Sequence, residues 1–292
     1  MNTTGLYPRV QVDVAPVSGV GQAGGVLLTE TVRATGLDQA LSAASAPGRR
    51  PLAQHDPGKV LLDAALALAP GGDCLADVAS VPAEPDVYGP AASDPLISRL
   101  LTLLASDVDT AERAINTARP RAREAAWTRA GEHAPHRRVT AKHPLIIDLD
   151  ATLVTAHSER EDARATFKNG FGFPLLAFAD HGPDGGGEML TCLLRPDNAG
   201  SNTAAGHKTV IRQALTQVGM GARPGKKVLT RIDGAESTKE TIEELVKRRV
   251  WYSVGYTLPA STPELYRIIP EHLRRRPTAP TAPHARARTW QS

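Results

Sequence analysis

The stretch PLIIDLDATLVTAHSE, Pro144–Glu159, places two aspartates one residue apart at the end of an apolar run. Side chains alternate faces along a β-strand, so Asp148 and Asp150 share a face with their Cα atoms roughly 6–7 Å apart. Two carboxylates that close repel, and each is pushed toward its protonated form unless a cation lies between them. Mg²⁺ or Mn²⁺, hard and oxygen-loving, is the natural cation. Taken alone, the stretch admits three readings. It could hold the nucleophile and acid of a phosphatase, the ligands of a metal that cuts nucleic acid, or a strand end with two solvated charges.

The residues that follow narrow the choice. A polar loop, TAHSEREDARATFKNGFG, leads to FPLLAFAD, the turn HGPDGGG and EMLTCLLR. A turn so rich in Gly, Asp and Pro predicts a hairpin, and three successive strands predict an antiparallel meander. SNTAAGHKTVIRQALTQV then predicts a helix capped by Ser201 or Asn202 that buries Val210, Ile211, Ala214 and Leu215. VLTRID reads as a short strand ending in Asp233, and VWYSVGYTL as a fifth strand. Between them STKETIEELVKRR reads as a helix with a capping box from Ser237 to Glu240. Its pairs Glu243–Lys247 and Glu244–Arg248 sit at i,i+4, each contributing only about 0.2–0.5 kcal/mol. The order β-β-β-α-β-α-β is that of an RNase H-like mixed sheet, in which strands one and four are neighbours. A carboxylate of the first strand and Asp233 would then meet at one sheet edge, as two-metal phosphoryl chemistry requires.

The N-terminal half reads differently. Residues 1–26 hold one alternating segment, PRVQVDVAP, and a Gly-rich connector, GVGQAGG. Helical patterns follow over Leu27–Ala44 and Asp56–Ala69, the latter with Pro57 in its first turn behind a capping Asp56. Gly71-Gly72-Asp73 breaks that pattern and is expected to cap CLADVAS. In SDPLISRLLTLLA, Ser93 or Asp94 caps, Pro95 opens the helix, and Ile97, Leu100, Leu101 and Leu104 share a face. A further helix, Asp107–Ala130, carries much basic charge. This run of short helices resembles a helix-turn-helix arrangement in which Ser98 and Arg99, near a helix start, face a DNA groove. The plainer alternative is a helical bundle with Arg99 in solvent.

Composition sets outer bounds. The 292 residues carry a net charge of +3, with 41% hydrophobic but only 4% aromatic residues, so the core must be built from Ala, Leu and Val. The charge is a mild bias toward anionic partners and no more. Cations outnumber acids from Arg119 to Lys142, and no acid follows Arg274. Cys74 and Cys192, far apart and without a CxxC, argue against a zinc site or a disulfide framework and fit a reducing cytoplasm. No leader pattern opens the chain, and no apolar run approaches the roughly 20 residues a bilayer demands. A soluble, cytoplasmic, nucleoid-associated protein without a membrane partner is expected.

Seven segments together carry a family resemblance: VQVDVAPVSGVGQAGGVLLTETVRATGLDQALS, HDPGKVLLDAALALAPGGDCLADVA, YGPAASDPLISRL, LIIDLDATLVTAHSE, FKNGFGFPLLAFADHG, LLRPDNAGSNTAA and WYSVGYTLP. In order and spanning about residues 5–260, they resemble the group-one DDE transposases of bacterial insertion sequences, the actinobacterial type especially. The resemblance implies a helical DNA-binding region, an RNase H-like core and a Mg²⁺ or Mn²⁺ site. That site hydrolyses transposon ends and rejoins them to target DNA. DNA is thus the implied partner, as terminal inverted repeats and as target, and a homodimer on DNA is compatible with it. Carried across, the first catalytic acid and metal ligand is Asp150, with Asp148 supporting or alternative, and the second is Asp233. The family's third acid, a Glu on a helix beyond the fifth strand, has no counterpart, since Glu264 and Glu271 follow that strand too soon. The expectation is therefore a C-terminally truncated, inactive copy. GFGFPLLAF also lacks a residue where the family commonly has His before Pro, which would shift the pleat of the second strand.

The expected organisation is a strand and connector over 1–26, a helical DNA-binding region over 27–140, a partial RNase H-like core over 141–260 and a disordered Arg/Pro-rich tail over 261–292. Lys168 and Arg195 read as DNA-phosphate contacts or surface cations. His157, Ser158 and Glu159 read as loop residues near the metals or in solvent, and Trp251 and Tyr252 as packing residues. Two other functions compete. One is a non-catalytic DNA-binding remnant that occupies transposon ends through its first ~140 residues. The other is a haloacid-dehalogenase-like phosphatase with Asp148 as nucleophile, Asp150 as general acid and Thr152 positioning. Against the phosphatase stand the mid-chain position of the motif, the meander after it, and a lone TRIDGAEST where a later acidic pair belongs.

Overall fold

The computed structural model describes residues 5–11, 23–49, 51–152, 174–182, 186–195, 204–233, 238–255, 260 and 262–271. The chain divides into a helical unit, Met1–Arg137 with Leu215–Gly221, and a sheet unit, Arg138–Ala214 with Ala222–Ser292.

In the helical unit the elements are α1 (Ala23–Thr35), α2 (Leu37–Ser45), α3 (Pro57–Leu68), α4 (Pro85–Tyr88), α5 (Asp94–Ala105) and α6 (Val108–Ala130). The single helix expected over Leu27–Ala44 is two, because Gly36 adopts φ +69° between α1 and α2. That left-handed conformation ends a helix and suits glycine best. Asp56 caps α3 as expected, accepting from the Gly58 and Lys59 backbone amides. The cap at CLADVAS is not Asp73: Leu75–Ser80 is a 3₁₀ segment, and Asp77 reaches back to accept from the Asp73 and Cys74 amides at 2.9 and 3.0 Å. On α5, Ile97 is fully buried while Leu101 stays 43% exposed, so its apolar face is narrower than the sequence pattern suggested. Pro8–Gln11 form no strand, and residues 12–22 lie outside the described residues. The core is aliphatic, as the low aromatic content demands, with Val26, Leu41, Val60, Leu66, Val81 and Ile97 packed around Tyr88.

Two features of α3 fix its place. A Cβ on Gly58 would stand 2.5 Å from the Ser42 nitrogen and 2.6 Å from the Leu41 carbonyl carbon, so α2 and α3 approach backbone to backbone. One residue on, the buried Lys59 ammonium donates to both Asp63 oxygens at 2.8 Å. The Tyr7 hydroxyl donates to the same carboxylate at 2.9 Å, and the ammonium lies 4.6 Å from the Tyr7 ring centre. Burial pushes the Asp63 carboxyl up, while Lys59 opposes that shift. Burial, and then the Asp63 charge, hold the Tyr7 hydroxyl well above its usual range. With Leu6 donating its amide to Asp38 at 3.0 Å, this network fastens the N-terminal segment to the helices.

The sheet unit contains β1 (Leu145–Ala151), β2 (Leu175–Asp180), β3 (Gly187–Leu193), α7 (Ala204–Gln217, its residues from Leu215 onward counted with the helical unit), β4 (Val228–Ile232), α8 (Lys239–Lys247), β5 (Trp251–Val254) and α9 (Thr262–Ile268). The strands form one mixed sheet in the order β3-β2-β1-β4-β5. Pairing is antiparallel for β1–β2 and β2–β3, and parallel for β1–β4 and β4–β5. Burial alternates along β1, β2 and β4, as a sheet covered on one face requires. Leu145, Ile147, Leu175, Ala177 and Val228 are buried on one side, together with Val210, Ile211 and Ala214 of α7 and Leu245 of α8. Thr191 of β3 donates to Gln213 of α7 at 2.6 Å.

Several local details depart from expectation. The pleat shift falls between β2 and β3, where Ala177 faces Thr191 but Phe178 faces Met189. Leu190 is thus the extra residue of a bulge, and it turns inward with Thr191. The α8 cap is Thr238, whose hydroxyl accepts from the Thr241 amide at 3.2 Å, while Ser237 lies outside the described residues. Glu244–Arg248 forms at 2.8 Å, whereas Glu243 stands 3.9 Å from Lys239 instead of meeting Lys247. Helix α9 occupies the start of the segment expected to be disordered, and residues 272–292 lie outside the described ones.

Asp63→Ala strands the Lys59 ammonium in the core and is expected to lower stability by about 3–5 kcal/mol. Gly58→Ala overpacks the α2–α3 contact and is expected to cost about 1–3 kcal/mol. Urea titrations followed by circular dichroism measure both. A change within about 0.5 kcal/mol, typical of a neutral surface substitution, would contradict either assignment.

Candidate active site

Parallel pairing of β1 with β4 builds the site. The register runs from Leu145 opposite Val228 to Leu149 opposite Ile232. Carried one step past its last pair, that register would set Asp150 opposite Asp233, which directly follows β4, and both residues are exposed. The Thr152 hydroxyl donates to Asp150 Oδ2 at 2.9 Å, which steadies that carboxylate.

Two residues back along β1, Asp148 stands opposite Arg231. Arg231 Nε and Nη2 both donate to the Asp148 carboxylate in a two-pronged pair. Nη2 also donates to Asp180 Oδ2, at the end of β2, at 2.8 Å. The other Asp180 oxygen accepts from the Gly182 amide at 2.8 Å. The hydrogen bond to Asp148 raises the Arg231 pKa; burial opposes the shift and Asp180 adds to it. The cation beside Asp148 in this structure is a guanidinium of the chain itself.

A divalent cation suits the donor set at the strand ends, since exposed carboxylates brought abreast offer hard oxygen ligands. Among the described residues, neither Asp150 nor Asp233 belongs to a tight group of three or more His, Cys, Asp or Glu ligand atoms. The group that does gather is Asp73, Cys74 and Asp77. There the backbone amides of Asp73 and Cys74 hold Asp77 below the usual carboxylate range, which makes it a helix cap.

The remaining candidates fall as follows. Ser98 and Arg99 are exposed on α5, in the helical unit, and Arg99 Nε donates to the Pro95 carbonyl at 3.1 Å. Lys168, His157, Ser158, Glu159, Ser201 and Asn202 lie outside the described residues. Arg195 is buried, so it is no surface cation. Trp251 and Tyr252 are half-exposed rather than packed, and the Lys226 ammonium lies 5.3 Å from the Trp251 ring centre. Glu264 and Glu271 are exposed in and after α9. Arg231 and Asp180 were missed in the sequence. The spacing Arg-Ile-Asp does put Arg231 on the face of Asp233, but its partner on β1 is set by register. No helix among the described residues is long and apolar enough to cross a membrane.

The family described as transposase DDE domain group 1 matches the chain over residues 3–288. The chain belongs to that family, which gives it a transposase function and a class of chemistry that normally uses divalent metal ions. The matched span includes the Arg/Pro-rich segment that composition alone had set apart from the fold. No curated protein matches the chain. β2 and β3 run antiparallel directly after β1, which is the meander expected from the sequence.

Asp148→Asn keeps the shape of the Arg231 pair but removes its charge. Because both side chains are about a third exposed, the expected loss is only about 1 kcal/mol. A urea titration of the variant checks it, and a loss beyond about 3 kcal/mol would mean that the pair behaves as a buried one.

Proposed function

We propose that the chain is an insertion-sequence transposase with an RNase H-like core, in which Asp150 and Asp233 hold Mg²⁺ or Mn²⁺ for cleavage and strand transfer at transposon ends. The observation that supports this reading is the parallel β1–β4 pairing, which brings Leu149 opposite Ile232, the residues just before Asp150 and Asp233. The ion, when bound, supplies an activated water and neutralises charge developing on the phosphodiester. The chain supplies the rest. Asp150, steadied by Thr152, and Asp233 present the ligand oxygens, while Asp148 supports them from one pleat back. Ser98 and Arg99 contact DNA from α5, and Lys168 adds a phosphate contact. Terminal inverted repeats are the DNA first bound, and target DNA accepts the freed 3′-hydroxyl end.

A radiolabelled terminal-repeat duplex incubated with the purified chain tests this. For an inactive copy no cleavage is expected; cleavage in Mg²⁺ that stops in EDTA, and is lost in both Asp150→Asn and Asp233→Asn, would support the metal role of the two aspartates and overturn the expectation of an inactive copy. Activity that survives Asp150→Asn but not Asp148→Asn would move the principal ligand to Asp148. Salt-sensitive binding without cleavage would instead favour the end-binding alternative. Arg99→Ala is expected to weaken binding at all sequences and to reduce the slope of log K against log salt by about 1.

A further inference from the structure

Asp148 and Asp180 sit toward the start of β1, where Ile147 pairs with Ala179, whereas Asp150 and Asp233 follow toward its carboxyl end; without internal cations both pairs would be open to a metal. Arg231 changes that. Its guanidinium binds Asp148 through two nitrogens and Asp180 through one of the same two. Asp180 also accepts from the Gly182 amide, so its oxygens are held from two directions. Asp150, by contrast, is exposed and accepts from the Thr152 hydroxyl. A guanidinium is planar, permanently charged and shaped to grip carboxylates with two parallel bonds, which a lysine cannot do.

We propose that Arg231 is a positioning residue that acts as a fixed counter-ion: it neutralises Asp148 and Asp180, and so confines divalent-metal binding to the Asp150–Asp233 pair. The proposal rests on the metal role given above to Asp150 and Asp233. Arg231 touches no reacting atom. It acts through Asp148, holding β1 against β4 so that the next same-face residues, Asp150 and Asp233, present their oxygens together. It also keeps a second ion from settling between Asp148 and Asp180, where it would draw Asp148 away from β4.

Mn²⁺ binding to the full chain, followed by electron paramagnetic resonance of the free ion, tests the idea without any reaction. The parent is expected to lose its Mn²⁺ binding when Asp150 and Asp233 are both changed to Asn. Arg231→Gln is expected to take up at least one further equivalent, and Asp148→Asn in that background to remove it. Arg231→Lys, which keeps the charge, is expected to bind the parental number of ions. Equal stoichiometry and affinity in the parent and Arg231→Gln would overturn the counter-ion role. Unchanged binding in the Asp150→Asn, Asp233→Asn variant would instead overturn the metal assignment, a separate failure. Should Arg231→Gln not fold, the parent itself decides. Its Arg231 Nε–H nuclear magnetic resonance signal should stay put through a Mg²⁺ titration, and a shift that follows ion binding would show that metal displaces the guanidinium from Asp148.

Discussion

The cross-strand grip of Arg231 on Asp148 and Asp180 ties together three neighbouring strands, β2, β1 and β4, at the point where the sheet changes from antiparallel to parallel. Hydrogen bonds between parallel strands are evenly spaced and slanted, and slightly weaker per residue than antiparallel ones. Nothing in that backbone ladder alone favours one register over its neighbour two residues away. A side-chain pair opposite across β1 and β4 does. With Asp148 locked to Arg231, the inward residues Leu149 and Ile232 meet, and the apolar face stays turned to α7. A slip of one residue would bring the charged face inward and the apolar face to water. The ion pair and the hydrophobic pattern therefore specify the same register, and the position of Asp150 beside Asp233 follows from it.

The helical unit uses a different kind of ionic contact. Lys59 and Asp63 are removed from water almost completely, and a pair so placed tends to recover little more than its own desolvation. It persists because every polar group has a partner: the ammonium reaches both carboxylate oxygens and the Tyr7 ring, and the Tyr7 hydroxyl takes one of the same oxygens. Its effect is specificity of docking for the segment around Tyr7 more than net stability. Gly58, immediately before Lys59, allows the close approach that carries the network inward. In the sheet unit the Arg231 cluster remains a quarter to two-fifths exposed. Its desolvation is slight and its Coulomb gain is screened, so orientation is its main contribution.

Legibility in the sequence tracked the range of the interaction. Strands followed from alternation, since Leu145, Ile147 and Leu149 are buried at every second place. Asp56 and Pro57 announced α3 through local chemistry, and Val210, Ile211 and Ala214 announced the buried side of α7 through helical spacing. Errors arose where local signals competed. Thr238 and Ser237 are equally good caps on paper, and only backbone geometry chose Thr238. Gly36 inside an apolar pattern could be tolerated or could break it, and its positive φ decided for the break. The residues around the candidate site differ in legibility for the same reason. Asp150 and Asp233 each end an apolar strand and stand out alone, whereas Arg231 and Asp180 acquire meaning only from partners 83 and 51 positions away.

The choice of cation beside Asp148 has a consequence for the aspartates that follow it. A metal between Asp148 and Asp150 would bridge two residues of one strand and leave Asp233 on the next strand unengaged. A guanidinium between Asp148 and Asp180 does the opposite. It neutralises the inner acid with a charge that cannot dissociate, be replaced by water or change its coordination number. Repulsion between Asp148 and Asp150 is thereby reduced. Under the metal role proposed for Asp150 and Asp233, a divalent ion placed between them would lower the energy of both carboxylates at once. On that proposal, an internal arginine one pleat back would favour an inter-strand metal site over an intra-strand one.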